Sequence, residues 1–190
     1  MAMKTLTTAS AFNLQTLQQQ LQQTDLAPVE SWNPPFCGDI PIHINAEGDW
    51  YYQHSKIQRP ALVTLFTSVL LRQNNEYFLQ TPVEKMRITV ADAPFLIVDW
   101  AWLETAAGPA LNLTTNLQQQ VLVSPQYPLV LKADPQQQLL PYLQLWRGLD
   151  AKLSRNVYYQ LAEQANAVYC NHQQHYQLKS AAYPFTFAIT

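Results

Sequence analysis

At 190 residues, 48% hydrophobic and 12% aromatic, the chain can bury one sizeable core or two small ones, which excludes general disorder. A formal net charge of −2, with only 11 lysines and arginines spread thinly, excludes the basic footprint that a nucleic-acid backbone requires. No apolar run approaches the roughly 18 residues of a membrane span, and MAMKTLTTASAFNLQ carries a single lysine followed by threonine and serine, so a cytoplasmic protein without a membrane partner is expected.

In AFNLQTLQQQLQQTDLA, Phe12, Leu14, Leu17 and Leu21 recur at near-helical spacing, and glutamines fill the wet face, so a short amphipathic helix is expected within 1–26. Pro28, Pro34 and Pro35 then forbid both a helix interior and a central strand, so 27–38 should be a draped loop. Ile40, Ile42 and Ile44 alternate with polar or proline positions. With the turn Glu47-Gly48-Asp49 and the apolar Trp50-Tyr51-Tyr52, they read as a β-hairpin. Pro60 suits a first helical turn, with Leu62, Leu65, Phe66, Val69 and Leu70 on one face of the helix that follows.

Strand-like runs come next at 77–80, 83–90 and 95–102, an apparent antiparallel meander, and then at 111–115, 119–123, 129–132 and 139–145. NVYYQLAEQANAV, from Asn156, has the spacing of another helix, with Val157, Leu161, Ala165 and Val168 toward the core. Short strands at 176–178 and 185–189 close the chain. The fold expected is α+β: an N-terminal helix over 1–26, a first lobe over 27–90 that includes the proline loop, and a second lobe over 91–190. Each lobe is expected to hold an antiparallel sheet and one main helix. A loose echo between Lys56–Leu65 and Lys152–Leu161, both following strands and opening helices, suggests that the lobes are related.

Several constellations carry chemistry. Trp32, Pro34, Pro35 and Phe36 read either as an apolar lid over a cleft, with Asn33 and Asp39 as polar anchors, or as a strap sealing the core. Cys37 and Cys170 should be reduced thiols, and Cys37 lacks a convincingly placed base because His43 alternates away from the isoleucine face. Cys170, His172 and His175 form C-x-H-x-x-H, but no further ligand follows, so a solvated turn is favoured and no metal is assigned.

On a strand over 83–90, Glu84 would share a face with Met86, Ile88 and Val90, and such a carboxylate needs a partner, for which Arg59 or Arg155 at the helix starts are the candidates. Alternatively Arg59, Arg147 and Arg155 converge on an anion, since guanidinium forks and helix N-termini both suit phosphate or carboxylate. Four glycines and no Gly-rich loop leave neither a P-loop nor a dinucleotide fingerprint, and no cofactor is expected.

ESWNPPFCGDI (30–40), SKIQRPALV (55–63), TPVEK (81–85), DAPF (92–95), Thr115-Asn116, and Arg155 with Val157-Tyr158-Tyr159 occur together in order. In this the chain resembles the bacterial domain of unknown function numbered twelve eighty-five, over nearly everything after Ala27. It departs at Arg147-Gly148-Leu149, where relatives carry a Gly-Gly pair after the arginine, and at Asn156, which replaces a common proline. The resemblance implies two small α+β lobes around a cleft and a ligand-binding or signalling role, with a nucleotide-like molecule as one ligand class. It supplies no catalytic residues.

The combined expectation is a ligand-sensing module that takes a small anionic or nucleotide-like molecule between its lobes and passes the signal to a protein partner. Its site residues would be Trp32, Asp39, Arg59, Glu84, Asn116, Arg147, Arg155 and Tyr158. A hydrolase or transferase using Glu84 or Asp39, and an interaction adaptor with no small ligand, are the alternatives, and the reading leans away from catalysis.

Overall fold

The computed structural model describes residues 27–170 and 172–189; the helix expected within 1–26 lies outside them. The first lobe runs β1 (Phe36–Ile44), β2 (Trp50–Tyr52), β3 (Ser55–Lys56), α1 (Pro60–Ser68), β4 (Leu70–Gln73), β5 (Glu76–Gln80) and β6 (Lys85–Val90). The hairpin read from alternation forms, with Ile42 opposite Tyr52 and Ile44 opposite Trp50. Asn45 holds its turn, because the Oδ1 accepts from the backbone N–H of Glu47 at 3.1 Å and of Asp49 at 2.8 Å. Pro60 opens α1, its missing donor costing nothing at a position where the helix has no acceptor to offer.

β1, β2 and β3 meander outward, α1 carries the chain across, and β4, β5 and β6 meander back, so that β6 lies parallel to β1 in the order β3-β2-β1-β6-β5-β4. The second lobe repeats this scheme with β7 (Phe95–Thr105), β8 (Gly108–Thr115), β9 (Gln120–Leu122), β10 (Leu129–Ala133), β11 (Leu139–Gln144) and β12 (Asp150–Leu153). Its order is β9-β8-β7-β12-β11-β10, and β12 is parallel to β7. After it come α2 (Arg155–Ala162) and a three-stranded antiparallel sheet of β13 (Asn166–Cys170), β14 (Gln173–Ser180) and β15 (Tyr183–Ile189).

The α+β expectation, an antiparallel sheet with a main helix in each lobe, is therefore corrected. The structure is mostly β, with two mixed six-stranded sheets and, among the described residues, two α-helices of nine and eight residues. Alternation along single strands reveals that strands exist but not which edges meet, so the parallel pairs β1/β6 and β7/β12 were invisible to it. The echo of Lys56–Leu65 in Lys152–Leu161 also misses the real repeat. Lys56 lies in the outer strand of its sheet and Lys152 in a central one. Both segments are strand-to-helix junctions, with a proline start in one and a Ser154 cap in the other.

The apolar faces of both lobes meet in one core. Ile44, Trp50, Phe66, Leu70 and Leu79 belong to the same buried cluster as Phe95, Ile97, Leu111, Leu143 and Leu149, with Phe185 and Phe187 from the last sheet. No helix among the described residues is long and apolar enough to cross a membrane.

Polar contacts join the lobes at several points. Asn116 beyond β8 donates from Nδ2 to the Gly48 carbonyl at 3.2 Å, and its Oδ1 accepts from the Leu96 N–H. In the link between lobes, Asp92 accepts from the Tyr142 hydroxyl at 2.8 Å and from Lys152 at 2.5 Å.

Two outcomes follow. Gly48 has φ +79°, and a Cβ there would stand 2.7 Å from Asn116 Nδ2. Gly48→Ala should lower stability by about 1–3 kcal/mol in chemical denaturation; an unchanged midpoint would refute the close contact. Burial, then the hydrogen bond to Asp92, raises the Tyr142 pKa above that of a free tyrosine. The folded value lies above the unfolded one, so this stabilisation is complete below about pH 10 and is lost as the pH rises further. Tyr142→Phe should flatten the alkaline limb of the stability curve, and a limb of unchanged slope would exclude Tyr142 as its source.

Candidate ligand cleft

A cleft of about 440 Å³ opens between the proline loop, strands β4 to β6 and the turn that precedes β12, and Trp32, Arg72, Lys85 and Arg147 are among its walls. Its proline-loop wall is fastened from below. Gln80, 6% exposed, donates through Nε2 to the carbonyls of Val29 at 2.8 Å and Trp32 at 3.1 Å. Ser31 Oγ closes the short 3-10 turn Val29–Ser31 on the Pro28 carbonyl, and the Lys85 N–H reaches the Pro35 carbonyl. Thus Trp32 stands half-buried at the rim on a loop that the first sheet holds directly.

Arg147 forms the opposite wall. Its backbone has the left-handed φ of 57°, and its side chain is only 5% exposed. Nε donates to Glu30 at 2.6 Å, Nη1 to the Ser68 carbonyl at 2.7 Å, and Nη2 to the Ala27 carbonyl. All three nitrogens are occupied, so the residue is a clamp between the lobes. The hydrogen bond from Arg147 holds the Glu30 carboxyl below the usual carboxylate range.

The other two cations are committed more lightly. Lys85 Nζ lies 4.3 Å from the centre of the Phe78 ring and donates to the Gln73 side-chain oxygen, and no carboxylate pairs with it among the described residues. Arg72 bonds Asp150 through Nη1 and Asn75 through Nη2, both at 3.1 Å, and lies over the Tyr77 ring. Its buried Nε finds no acceptor. Arg72 also lines a second cleft of about 420 Å³, together with Lys132, Gly148 and Asp150.

Of the eight residues expected at the site, Trp32 and Arg147 line the 440 Å³ cleft, and the other six do not. Asp39 sits exposed on β1, gripped by Arg87 at 2.8 and 3.1 Å, and that guanidinium holds its carboxyl below the usual range. Glu84 is buried, but in the turn before β6, where Thr81 Oγ1 accepts from its N–H. No ion pair joins it to Arg59 or Arg155, so the expected buried pair is absent. Both arginines are exposed at helix starts without an ion pair among the described residues. Tyr158 stacks on Phe187 at 5.0 Å, and Asn116 ties the lobes together.

Cys37 and Cys170 are free, exposed thiols; Cys37 Sγ faces the Pro35 carbonyl, and His43 stacks on Tyr51.

Sequence reasoning passed over Arg72 and Lys85. Arg72 closes the apolar run SVLL before a polar turn, but nothing in the sequence joins it to Asp150, 78 residues away.

Arg147→Met should cost about 2–4 kcal/mol, because two carbonyls lose their buried donor, whereas Arg59→Ala and Arg155→Ala should each change stability by under about 0.5 kcal/mol. Equal effects in chemical denaturation at all three sites would contradict the clamp.

Residues 27–93 match the "Domain of unknown function (DUF1285), N-terminal domain", and residues 94–187 match the "Protein of unknown function (DUF1285), C-terminal domain". The crystal structure of a DUF1285 family protein from Silicibacter pomeroyi DSS-3 is similar, with a TM-score of 0.78 and 33% identity, over 90% of this chain and 92% of that one. A DUF1285 family protein from Shewanella baltica OS155 is 35% identical, with a TM-score of 0.53, over 67% of this chain and 94% of that one. No curated protein matches the chain. With both domains matched in order and solved relatives above 30% identity, the chain belongs to the DUF1285 family.

Proposed function

We propose that this protein is a cytoplasmic ligand-sensing module whose cleft takes a small anion, with a phosphate carried on a planar group, as in a nucleotide, the class that suits it best. The observation that carries the reading is a concentration of charge. Three of the 11 cations of a chain with net charge −2 wall a single cleft, against one carboxylate, Glu30. Glu30 is already matched by Arg147, which leaves Lys85 without a carboxylate, beside Arg72, whose partner Asp150 is shared with Lys132.

Lys85 has only a neutral amide and a ring as partners, so an anion meets no competing carboxylate there. Trp32 and the stem of Arg72 supply flat apolar surface for a planar group, in the mix of apolar wall and few polar anchors usual for ligand sites. The catalytic alternatives find less support, since neither Glu84 nor Asp39 lines this cleft and Asp39 is held by Arg87. A protein partner that reads the liganded state completes the proposal.

The test is a thermal-shift panel on the full chain with nucleotides, phosphorylated metabolites and the matching uncharged nucleosides. The anionic members of the fitting class should raise the melting temperature by about 5 °C at a hundredfold excess over Kd, and the nucleosides should not. Lys85→Gln should remove the shift without altering the melting of the free protein. No shift with any anion would end the proposal.

A further inference from the structure

We infer that Arg72 is a movable arm shared between the anion in the 440 Å³ cleft and Asp150 of the other lobe, so that ligand occupancy loosens the grip of β4 on β12. The inference rests on the anion-binding reading above and adds how that site is read out. Four observations carry it.

Arg72 lines both clefts, facing the cationic one shared with Lys85 and the one that holds Asp150 and Lys132. Its three nitrogens are incompletely used, with Nη1 and Nη2 in bonds of 3.1 Å and Nε buried without an acceptor. An arginine so placed gains from an additional acceptor, because a buried donor left unpaired is costly.

Third, Asp150 can release it. This carboxylate, 8% exposed, accepts from Lys132 at 2.6 Å as well as from Arg72. A buried charge that loses its only partner is strongly disfavoured, but Asp150 keeps Lys132 when Arg72 leaves. Arg147 differs, since its departure would strip two backbone carbonyls of their donor.

Fourth, the Arg72 contact spans the lobes. β4 belongs to the first sheet and β12 to the second, and a Cβ on Gly148, two residues before Asp150, would meet the Arg72 carbonyl at 3.3 Å. Drawing the Arg72 side chain toward an anion breaks its ion pair with Asp150, which joins β4 to β12, while the Arg147 clamp stays closed. The site thereby has two states that differ in their affinity for anions, which is the requirement for coupling binding to shape.

AMP and inorganic phosphate serve as probes in calorimetric titrations of the full chain. Asp150→Asn frees Arg72 and should tighten AMP binding about five- to tenfold, whereas Lys132→Gln leaves Asp150 dependent on Arg72 and should weaken it by a similar factor. A diffuse field effect predicts the same signs, so both substitutions are repeated on Arg72→Gln. There the two effects should shrink below about twofold, and their persistence at full size would overturn the inference. If Asp150→Asn does not fold, Lys132→Gln with and without Arg72→Gln carries the same comparison. Amide hydrogen exchange in Asp150–Leu153 should quicken when AMP binds the wild-type chain, and unchanged or slower exchange would also overturn it. If neither probe binds the wild-type chain, the cleft reading itself falls; binding without coupling removes this inference alone.

Discussion

The burial of one guanidinium, that of Arg147, is the constraint on which the rest of the structure depends. Its side chain emerges from a left-handed backbone position in the second lobe and finds its three acceptors in the first: the Ser68 carbonyl at the end of α1, the Ala27 carbonyl and the Glu30 carboxylate. A buried cation is tolerable only where its donors are matched, so the proline loop, the helix end and the turn must all arrive together. The Ser68 carbonyl at a helix C-terminus adds a favourable dipole. Losing Glu30 would leave the cation without a counter-charge at the junction of the lobes, and losing either carbonyl would leave a buried N–H unpaired.

Around that junction the two sheets obey one plan. In each, two three-stranded meanders are joined so that the first and last strands lie parallel in the middle. The central pairs carry much of the shared core, with Ile42, Ile44, Ile88, Phe95, Ile97 and Leu153 all buried. The cleft forms where β4, an edge strand, receives the turn before β12, so that side chains of both lobes line it.

What could be read from the sequence follows from the range of the physics involved. The hairpin at Ile42–Trp50 and the helix opening at Pro60 are local: alternation, an Asx-held turn and a fixed proline φ specify them within a few residues. Trp32 could be singled out as an aromatic in a proline loop, and Arg147 as a guanidinium suited to an anion, although its nitrogens are taken by Glu30, Ser68 and Ala27. Glu84 was misjudged because alternation assumed a strand that starts two residues earlier than β6 does; its burial was foreseen, its arginine partner was not found. The parallel pairings depend on contacts between residues some fifty positions apart, as for Gly38 and Met86 or Ala151 and Phe95, about which neither periodicity nor composition carries information. Arg72 was missed for the same reason, since its partner Asp150 lies 78 residues away.

The charged groups themselves form a graded series, which is why the anion proposed above is placed in the cleft and not at another cationic surface. Arg87 is bound by two carboxylates, Asp39 and Glu76, in the open, so an incoming anion would have to displace ligands that water already screens. Arg147 is saturated by groups it cannot leave. Arg59 and Arg155 have no ion pair among the described residues but are exposed, where an ion pair gains little. Lys85 and Arg72 stand between these limits, partly buried, incompletely satisfied and on adjoining walls of one cleft. Attraction is strongest where the dielectric is lowered and the cation is least committed: Lys85 has no carboxylate partner among the described residues, and Arg72 shares its one carboxylate, Asp150, with Lys132.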